Sequence, residues 1–111
     1  MTARDFRRIA LGMQGVIESA HMNHPDFRAN GRIFATLSED AKWGMVKLTP
    51  EQQAEFMRAE PDVFVPASGA WGRGGSTMVR LAPADGDTVG EAMTLAWRGT
   101  VKVVKAKKGR R

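Results

Sequence analysis

Alternating apolar and polar positions dominate residues 27–48 and predict an antiparallel meander. Asn30-Gly31 is the strongest turn signal in the chain, because both residues tolerate the positive φ of a two-residue hairpin. Residues 27–29 and residues 32–37 are the predicted arms of this hairpin, and residues 43–48 form the next strand. With candidate strands at residues 19–23 and 77–82, the pattern predicts an antiparallel sheet of about five strands.

Apolar residues at helical spacing predict three helices that pack on this sheet. The first two helices begin with a capping-box spacing, in which Thr2 is followed by Asp5 and Thr49 by Gln52. Gly12 and Gly15 limit the first helix, and Gly15 is its predicted C-terminal cap, because glycine is a frequent residue there. We therefore expect a two-layer α+β domain with its helices packed on one face of the sheet.

The alternation also assigns the strand residues to two faces. Ile33, Ala35 and Leu37 share one face of their strand, and Phe34 falls on the other. If helices cover the Ile33 face, the opposite face is an open interaction surface for a protein partner or a second copy. Two alternatives are that both faces are covered, or that the register is shifted by one residue. The predicted partner-binding residues are Phe34, Trp43 and Met45.

The last helix leads into a basic C-terminal segment. Asp87 is its predicted N-cap, and an apolar stripe at helical spacing follows. Residues 102–111 hold six of the 17 lysines and arginines and no acidic residue, so residues 1–101 keep 11 basic and 12 acidic residues, a net charge of −1. We expect a folded domain at residues 1–101 and a mobile basic tail at residues 102–111. The tail cations predicted to contact nucleic-acid phosphates are Lys105, Lys107, Lys108, Arg110 and Arg111.

Composition limits the classes of function. The 111 residues suit one ordinary domain, and 42% apolar residues indicate a globular protein. The absence of cysteine excludes disulfides, thiolate metal sites and cysteine nucleophiles, and it fits a cytoplasmic protein. No stretch is long and apolar enough to predict a membrane span.

A glycine-rich segment at residues 69–76 is the clearest candidate for small-ligand chemistry. Successive glycine amides can cradle an anion, and Arg73 would add a charge. A phosphate-binding P-loop needs a lysine before a helix, whereas a strand is predicted here, so a plain connecting loop is the stronger interpretation. Trp71 and Arg73 are neighbours on this loop and could stack on bases as secondary nucleic-acid contacts.

Neither a metal site nor a catalytic centre is predicted. His21 and His24 are the only histidines, and Pro25 prevents a helix that would align them. Glu18 and Asp26 have no feature that marks them as an acid–base pair, and no nucleophile motif is present. We therefore expect a protein that is not an enzyme and that carries no cofactor.

Six short motifs, in order, resemble the MmcQ/YjbR family over about residues 4–105. The resemblance is carried by residues 15–19 (GVIES), 25–28 (PDFR), 31–35 (GRIFA), 64–67 (FVPA), 69–77 (GAWGRGGST) and 92–98 (AMTLAWR). The chain departs from the family where Arg32 replaces a lysine and where Ser76 stands in place of a common tryptophan. The second departure removes an aromatic residue from the glycine-rich segment.

The resemblance implies a YjbR-like α+β fold whose topology is similar to that of secretion chaperones. It also implies a DNA-binding, double-wing label, which rests on the wing-like shape of two hairpins, and no family catalytic residue is carried over. The expectation is a small regulatory protein that binds DNA through its tail without sequence preference. The alternatives are a protein-binding module that uses an open sheet face, and a small-ligand binder at the glycine-rich segment.

Overall fold

The computed structural model describes the backbone of residues 1–108 and the side chains of residues 1–20 and 22–101. Four helices and six strands follow one another along this part of the chain. They are α1 (Ala3–Leu11), β1 (Ile17–His21), β2 (His24–Ala29), β3 (Arg32–Leu37), β4 (Trp43–Lys47), α2 (Pro50–Ala59), β5 (Phe64–Pro66), α3 (Gly69–Arg73), β6 (Ser76–Arg80) and α4 (Gly86–Lys108).

All six strands form one antiparallel sheet in the order β1-β2-β3-β4-β6-β5. The predicted α+β class is confirmed, and the sheet has one strand more than expected. The additional strand is β5, which has three residues and ends in Pro66. So short a run that ends in proline carries little alternation, and proline is depleted in strands, which is why the pattern missed it.

The core lies between one sheet face and helices α1, α2 and α4. Phe6 of α1 and Met93 of α4 are fully buried against the sheet, and Phe56 of α2 stacks at a tilt on Phe64, with ring centroids 5.1 Å apart. The sheet contributes residues that alternate along each strand, as period-two side-chain geometry requires. They are Phe27, Ala35, Leu37, Val46, Phe64, Thr77 and Val79.

Helix caps set the ends of these elements. Both predicted capping boxes are present, at Thr2 with Asp5 and at Thr49 with Gln52. Of the two glycines predicted to limit the first helix, Gly12 is the C-cap and α1 ends at Leu11, so the choice of Gly15 as the cap is wrong. Asp87 is likewise not the N-cap of α4. The Asp85 carboxylate accepts the Thr88 N–H at 2.8 Å, two residues earlier than predicted.

A bulge in β3 changes the face assignment of Phe34. Phe27 pairs with Ala35 and Arg28 pairs with Ile33, so Phe34 has no partner on β2. An extra residue of this kind places two consecutive side chains on one side of a strand. Phe34 is fully buried in the core beside Ala35, so its prediction as an open-face residue is wrong.

The glycine-rich segment contains helix α3 and is not the open loop that was expected. Gly72 and Gly75 explain its composition, because a Cβ at either position would collide with backbone atoms, at Ala67 and at Leu48 respectively. Gly75 also has a φ of +115°, which L side chains rarely adopt. Close backbone packing accounts for Gly72 and Gly75, and anion binding by this segment stays a prediction.

Helix α4 continues through Lys108, so the domain boundary predicted at residue 101 falls inside this helix. The mobility of residues 102–111 stays a prediction. Among the described residues, no helix combines the length and the hydrophobicity that a membrane-spanning helix needs.

Candidate functional site

The β3 and β4 strands diverge at one end and open a cleft beside α4. They pair only from Ala35 with Val46 to Leu37 with Gly44, so residues 32–34 have no partner on β4. Lys47 pairs with Ser76 on β6 instead. The resulting cleft has a volume of about 650 Å³, within the usual range for ligand pockets, and we call it the basic cleft.

Four cationic residues line the basic cleft, and no acidic residue does. Arg28 comes from β2, Arg32 from β3, Lys47 from β4 and Arg98 from α4, so four elements converge on it. Among the described residues, none of the ion pairs involves Arg32, Lys47 or Arg98. Such a cluster attracts anions and is stabilised when one binds.

Arg28 differs from the other three because a buried carboxylate holds it. Its guanidinium donates to both oxygens of Asp26, at 2.9 Å and 3.2 Å. The hydrogen bonds and charge of Asp26 raise the pKa of Arg28 above its ordinary value. Asp26 is 1% exposed and therefore depends on this partner. Arg28 is thus held in one orientation and carries less net charge into the cleft.

The polar groups of the cleft are mainly donors. In the α2 capping box, Gln52 Oε1 accepts the Thr49 N–H at 2.9 Å, and Thr49 Oγ1 accepts the Gln52 N–H at 3.1 Å. The Thr49 N–H needs an acceptor, which assigns the oxygen of the Gln52 amide to that side. The Gln52 Nε2 group and the Thr49 hydroxyl hydrogen are left as donors, which suits an acceptor-rich ligand.

Apolar side chains form the other wall of the cleft. They come from β3, from the residue after β4 and from α4, and a hydrogen bond from Asn30 Nδ2 to Thr100 Oγ1 at 3.0 Å holds the hairpin turn against α4. A site with an apolar wall and convergent donors binds an anion that also carries an apolar body. The apolar residues that line it are Ile33, Phe34, Leu48, Leu95 and Ala96.

Acidic residues gather in a second cavity on the other side of Arg98. This cavity lies among α1, α2 and α4 and is lined by Glu55, Asp87 and Glu91 as well as Arg98. Arg98 therefore stands between a basic and an acidic region. A polyanion would be repelled from the second cavity, which limits its path to the side of β3 and β4.

The predicted nucleic-acid contacts of the glycine-rich segment lie near the same region. Trp71 is 73% exposed in α3, and the Lys47 ammonium is 6.0 Å from the centroid of its ring. Arg73 is exposed at the end of α3. The side chains of Lys105, Lys107 and Lys108 lie outside the described residues, as do Arg110 and Arg111 entirely.

The sheet face opposite the helices retains two of the three predicted partner-binding residues. Trp43 and Met45 are half-buried there, next to Val65 and Met78, and we call these four residues the open face. A groove of about 480 Å³ runs along Trp43, Val65 and Met78. The Arg80 guanidinium lies 4.7 Å from the centroid of the Trp43 ring.

Sequence reasoning missed most of the basic cleft. Arg32, Lys47 and Arg98 are far apart in sequence, and the divergence of β3 from β4 that gathers them leaves no mark in the hydrophobic pattern. One signal was present, because Arg98, Lys102 and Lys105 follow one another at the four- and three-residue spacing of one helix face.

Histidine and carboxylate side chains are the remaining candidates for ligand chemistry. Among the described residues, no three histidine, aspartate or glutamate side chains are grouped so that they could hold a metal ion. The arrangement can therefore bind and orient an anion through cations and fixed donors.

The fold and site define a small two-layer α+β domain with a basic cleft at the edge of its helical layer. The family model for YjbR matches residues 11–99, and the chain belongs to the YjbR family. A search of curated proteins found no match. Among solved structures, the chain is similar to Deinococcus radiodurans protein DR2400, which has a DUF419 domain. The TM-score is 0.73 at 20% identity, over 96% of this chain and 80% of that one.

Proposed function

We propose that this protein binds nucleic acid through its phosphate backbone. The observation that carries the proposal is the set of Arg32, Lys47 and Arg98, three cations that border one cleft and have no acidic partner within the described part of the chain. Cations so placed gain free energy by releasing the counterions that phosphates condense. The YjbR family membership is compatible with this function and does not by itself establish it.

The net charge of −1 on residues 1–101 is compatible with this proposal because the charges are segregated. Glu55, Asp87 and Glu91 lie in the second cavity, away from the lining of the basic cleft. The Lys47 ammonium lies 6.0 Å from the centroid of the Trp71 ring, Arg73 lies on the same helix as Trp71, and the basic end of α4 follows Arg98. Binding is expected to be largely independent of sequence, because phosphate contacts carry no base information.

The test is fluorescence anisotropy of a labelled random-sequence duplex with the full chain. Arg32→Ala, Lys47→Ala and Arg98→Ala should each weaken binding and reduce the salt slope by about one, since each phosphate contact contributes about 0.9. Arg4→Ala and Arg58→Ala are matched controls, because both arginines are exposed and neither lines the basic cleft. Equal losses in the controls, or no binding by the unaltered protein, would overturn the proposal.

A second candidate function is self-association through the open face. The groove along Trp43, Val65 and Met78 is apolar at its centre and is bordered by Glu39 and Asp40. Arg80 stacks on Trp43 at the same face. A two-fold axis can bring such opposite charges together, because an isologous interface is self-complementary.

Sedimentation velocity over a range of protein concentrations tests this candidate. A dimer should form that Trp43→Glu abolishes, because the new carboxylate would be buried beside apolar residues. Trp71→Glu is the matched control, since Trp71 is 73% exposed outside the open face. A monomer at every concentration contradicts self-association, and so does a dimer that Trp43→Glu leaves unchanged.

A further inference from the structure

We propose that the basic cleft holds one unpaired nucleotide, so that the protein prefers single-stranded nucleic acid to duplex. This inference rests on the proposed function and adds the form of the nucleic acid. It follows from the volume and the lining of the cleft, which combine cations with an apolar wall.

The size of the cleft is the first property that limits which ligand can enter it. A volume of about 650 Å³ suits a compact organic molecule, and a mononucleotide is of that class. A base within a duplex is stacked and paired, so it cannot enter a cleft without being extruded at an energetic cost. A duplex can therefore contact only the cationic rim, whereas a single strand can place a base inside.

The arrangement of charged and apolar side chains in the cleft is the second property that limits the ligand. Arg32, Lys47 and Arg98 supply charge for a phosphate, while Ile33, Leu48 and Leu95 supply an apolar wall for the flat faces of a base or a sugar. A phosphate ion alone would use the cations and leave the apolar wall without a contact. The ligand class is thus a phosphate joined to an apolar, planar body.

Gln52 provides the third property, a hydrogen-bond donor in a fixed position. Its Oε1 is held by the Thr49 N–H at 2.9 Å, so the amide cannot turn without breaking the capping box. Its Nε2 hydrogens have no partner among the hydrogen bonds of the described residues. A carbonyl or ring nitrogen of a nucleobase accepts such a donor.

Anisotropy with the full chain compares a labelled single strand with the duplex of the same sequence. The single strand should bind at least about tenfold more tightly, a difference of about 1.4 kcal/mol. Unlabelled nucleoside monophosphate is the first competitor, and inorganic phosphate and the plain nucleoside are the second and third. Only the monophosphate should displace the single strand at moderate concentration, because it alone has both a phosphate for the cations and a base for the apolar wall.

Gln52→Glu is the decisive variant. Glutamate at this position also completes a capping box, so α2 should keep its cap while the cleft gains a negative charge. It should lower single-strand affinity to the level of the duplex. Gln14→Glu is the control with the same charge change, at an exposed residue outside the cleft.

Leu95→Trp is a second variant that fills the cleft without changing its charge. It should reduce single-strand binding and leave duplex binding within about twofold, a difference of about 0.4 kcal/mol. Leu11→Trp is its control, because Leu11 is 42% exposed at the end of α1.

Three outcomes separate the two proposals. If single strand and duplex bind equally, with the same response to Gln52→Glu, this inference is overturned and the proposed function stands. If the monophosphate binds but neither nucleic acid does, the cleft is a nucleotide site and the proposed function is overturned. If no ligand binds, both are overturned.

Discussion

Gly44 determines how closely α1 approaches the sheet. It lies on the core face of β4, paired with Leu37 on one side and Val79 on the other. A Cβ at this position would lie 2.5 Å from Cε1 of Phe6, whose ring is fully buried. Phe6 therefore occupies the space that a side chain at residue 44 would need. Glycine is required here for packing and not for its backbone conformation.

Gly44→Ala should destabilise the protein by about 1–3 kcal/mol, because overpacking forces buried side chains and backbone to shift. Urea unfolding followed by circular dichroism measures the change. Gly90→Ala is the control within α4, where a Cβ would meet nothing within 4 Å. Gly90→Ala should stabilise the protein by about 0.5–1 kcal/mol, because alanine has a higher helix propensity than glycine. Equal effects of the two substitutions would show that Phe6 adapts freely to a methyl group.

Individual residues were predictable where the chemistry is local. Thr2, Asp5, Thr49 and Gln52 form the two capping boxes that their spacing predicts. Phe34 was assigned to the wrong face, because a single bulge reverses the alternation and no residue type marks it.

At the scale of elements, the N-terminus of α4 is attached to the end of α2. Thr88 donates its N–H to Asp85 at 2.8 Å, and its hydroxyl donates to Glu60 at 3.0 Å. The backbone N–H of Thr88 lowers the pKa of the Asp85 carboxyl, with a further contribution from the Thr88 hydroxyl. The charged form of Asp85 is therefore favoured in the folded protein.

The lowered pKa gives a pH dependence with a definite sign. Asp85 contributes stability above the ordinary aspartate pKa of 3.8, and this is lost as the pH falls through the lower folded pKa. Asp85→Asn keeps a good N-cap residue and removes the charge. Its thermal midpoint should lie below that of the unaltered protein at neutral pH, and the difference should vanish in acid.

Asp62→Asn serves as the control for the loss of one negative charge. Asp62 is exposed and takes part in none of the side-chain hydrogen bonds or ion pairs of the described residues. A difference between Asp85→Asn and the unaltered protein that stays constant down to strongly acidic pH would contradict the Asp85 argument.

The elements themselves were predicted best where the pattern is long. Both bounds of β3 and the beginning of α2 agree with prediction, because each element has a clear turn or cap before it. Helix α3 was taken for a loop, since four of its five residues and the two residues after it are Gly, Trp or Arg with no helical period. Close backbone contacts at Gly72, which decide its course, arise only in the folded chain.

At the scale of the whole molecule, two basic regions can contribute to phosphate binding. One is the basic cleft, and the other is the C-terminal segment that holds six cations. Contacts from separate regions add in the salt dependence of affinity, because each phosphate neutralised releases its own counterions. The slope of affinity against salt therefore counts how many cations take part.

Replacing the five predicted tail cations by glutamine in the full chain should lower the salt slope without abolishing duplex binding. The remaining slope should come from the cleft and from Lys102, the sixth cation of the segment, at about 0.9 for each phosphate contact. Combining this change with Arg32→Ala should give an additive loss, since the sites are independent. The measurement is anisotropy at several salt concentrations, and complete loss of binding on tail replacement alone would show that the cleft contributes nothing.

The tail was predictable from composition, whereas the cleft was not. A run of like charge is visible in the sequence itself, but the convergence of Arg32, Lys47 and Arg98 requires the three-dimensional course of β3, β4 and α4. The family could also be inferred from the sequence, through the order of its motifs, and the match of the YjbR family model to residues 11–99 confirms it.

The bulge at Phe34 adds one residue to β3 relative to β2, and this residue lies in the stretch that borders the cleft. Side-chain substitutions can alter the charge of the cleft, but its opening comes from the backbone, where residues 32–34 leave β4. A deletion of Phe34 would remove the bulge, leave Arg32 opposite Ala29 and Ile33 opposite Arg28, and shorten the stretch that borders the cleft by one residue. Changes in strand length, more than changes in residue type, should therefore separate relatives that have this cleft from relatives that lack it.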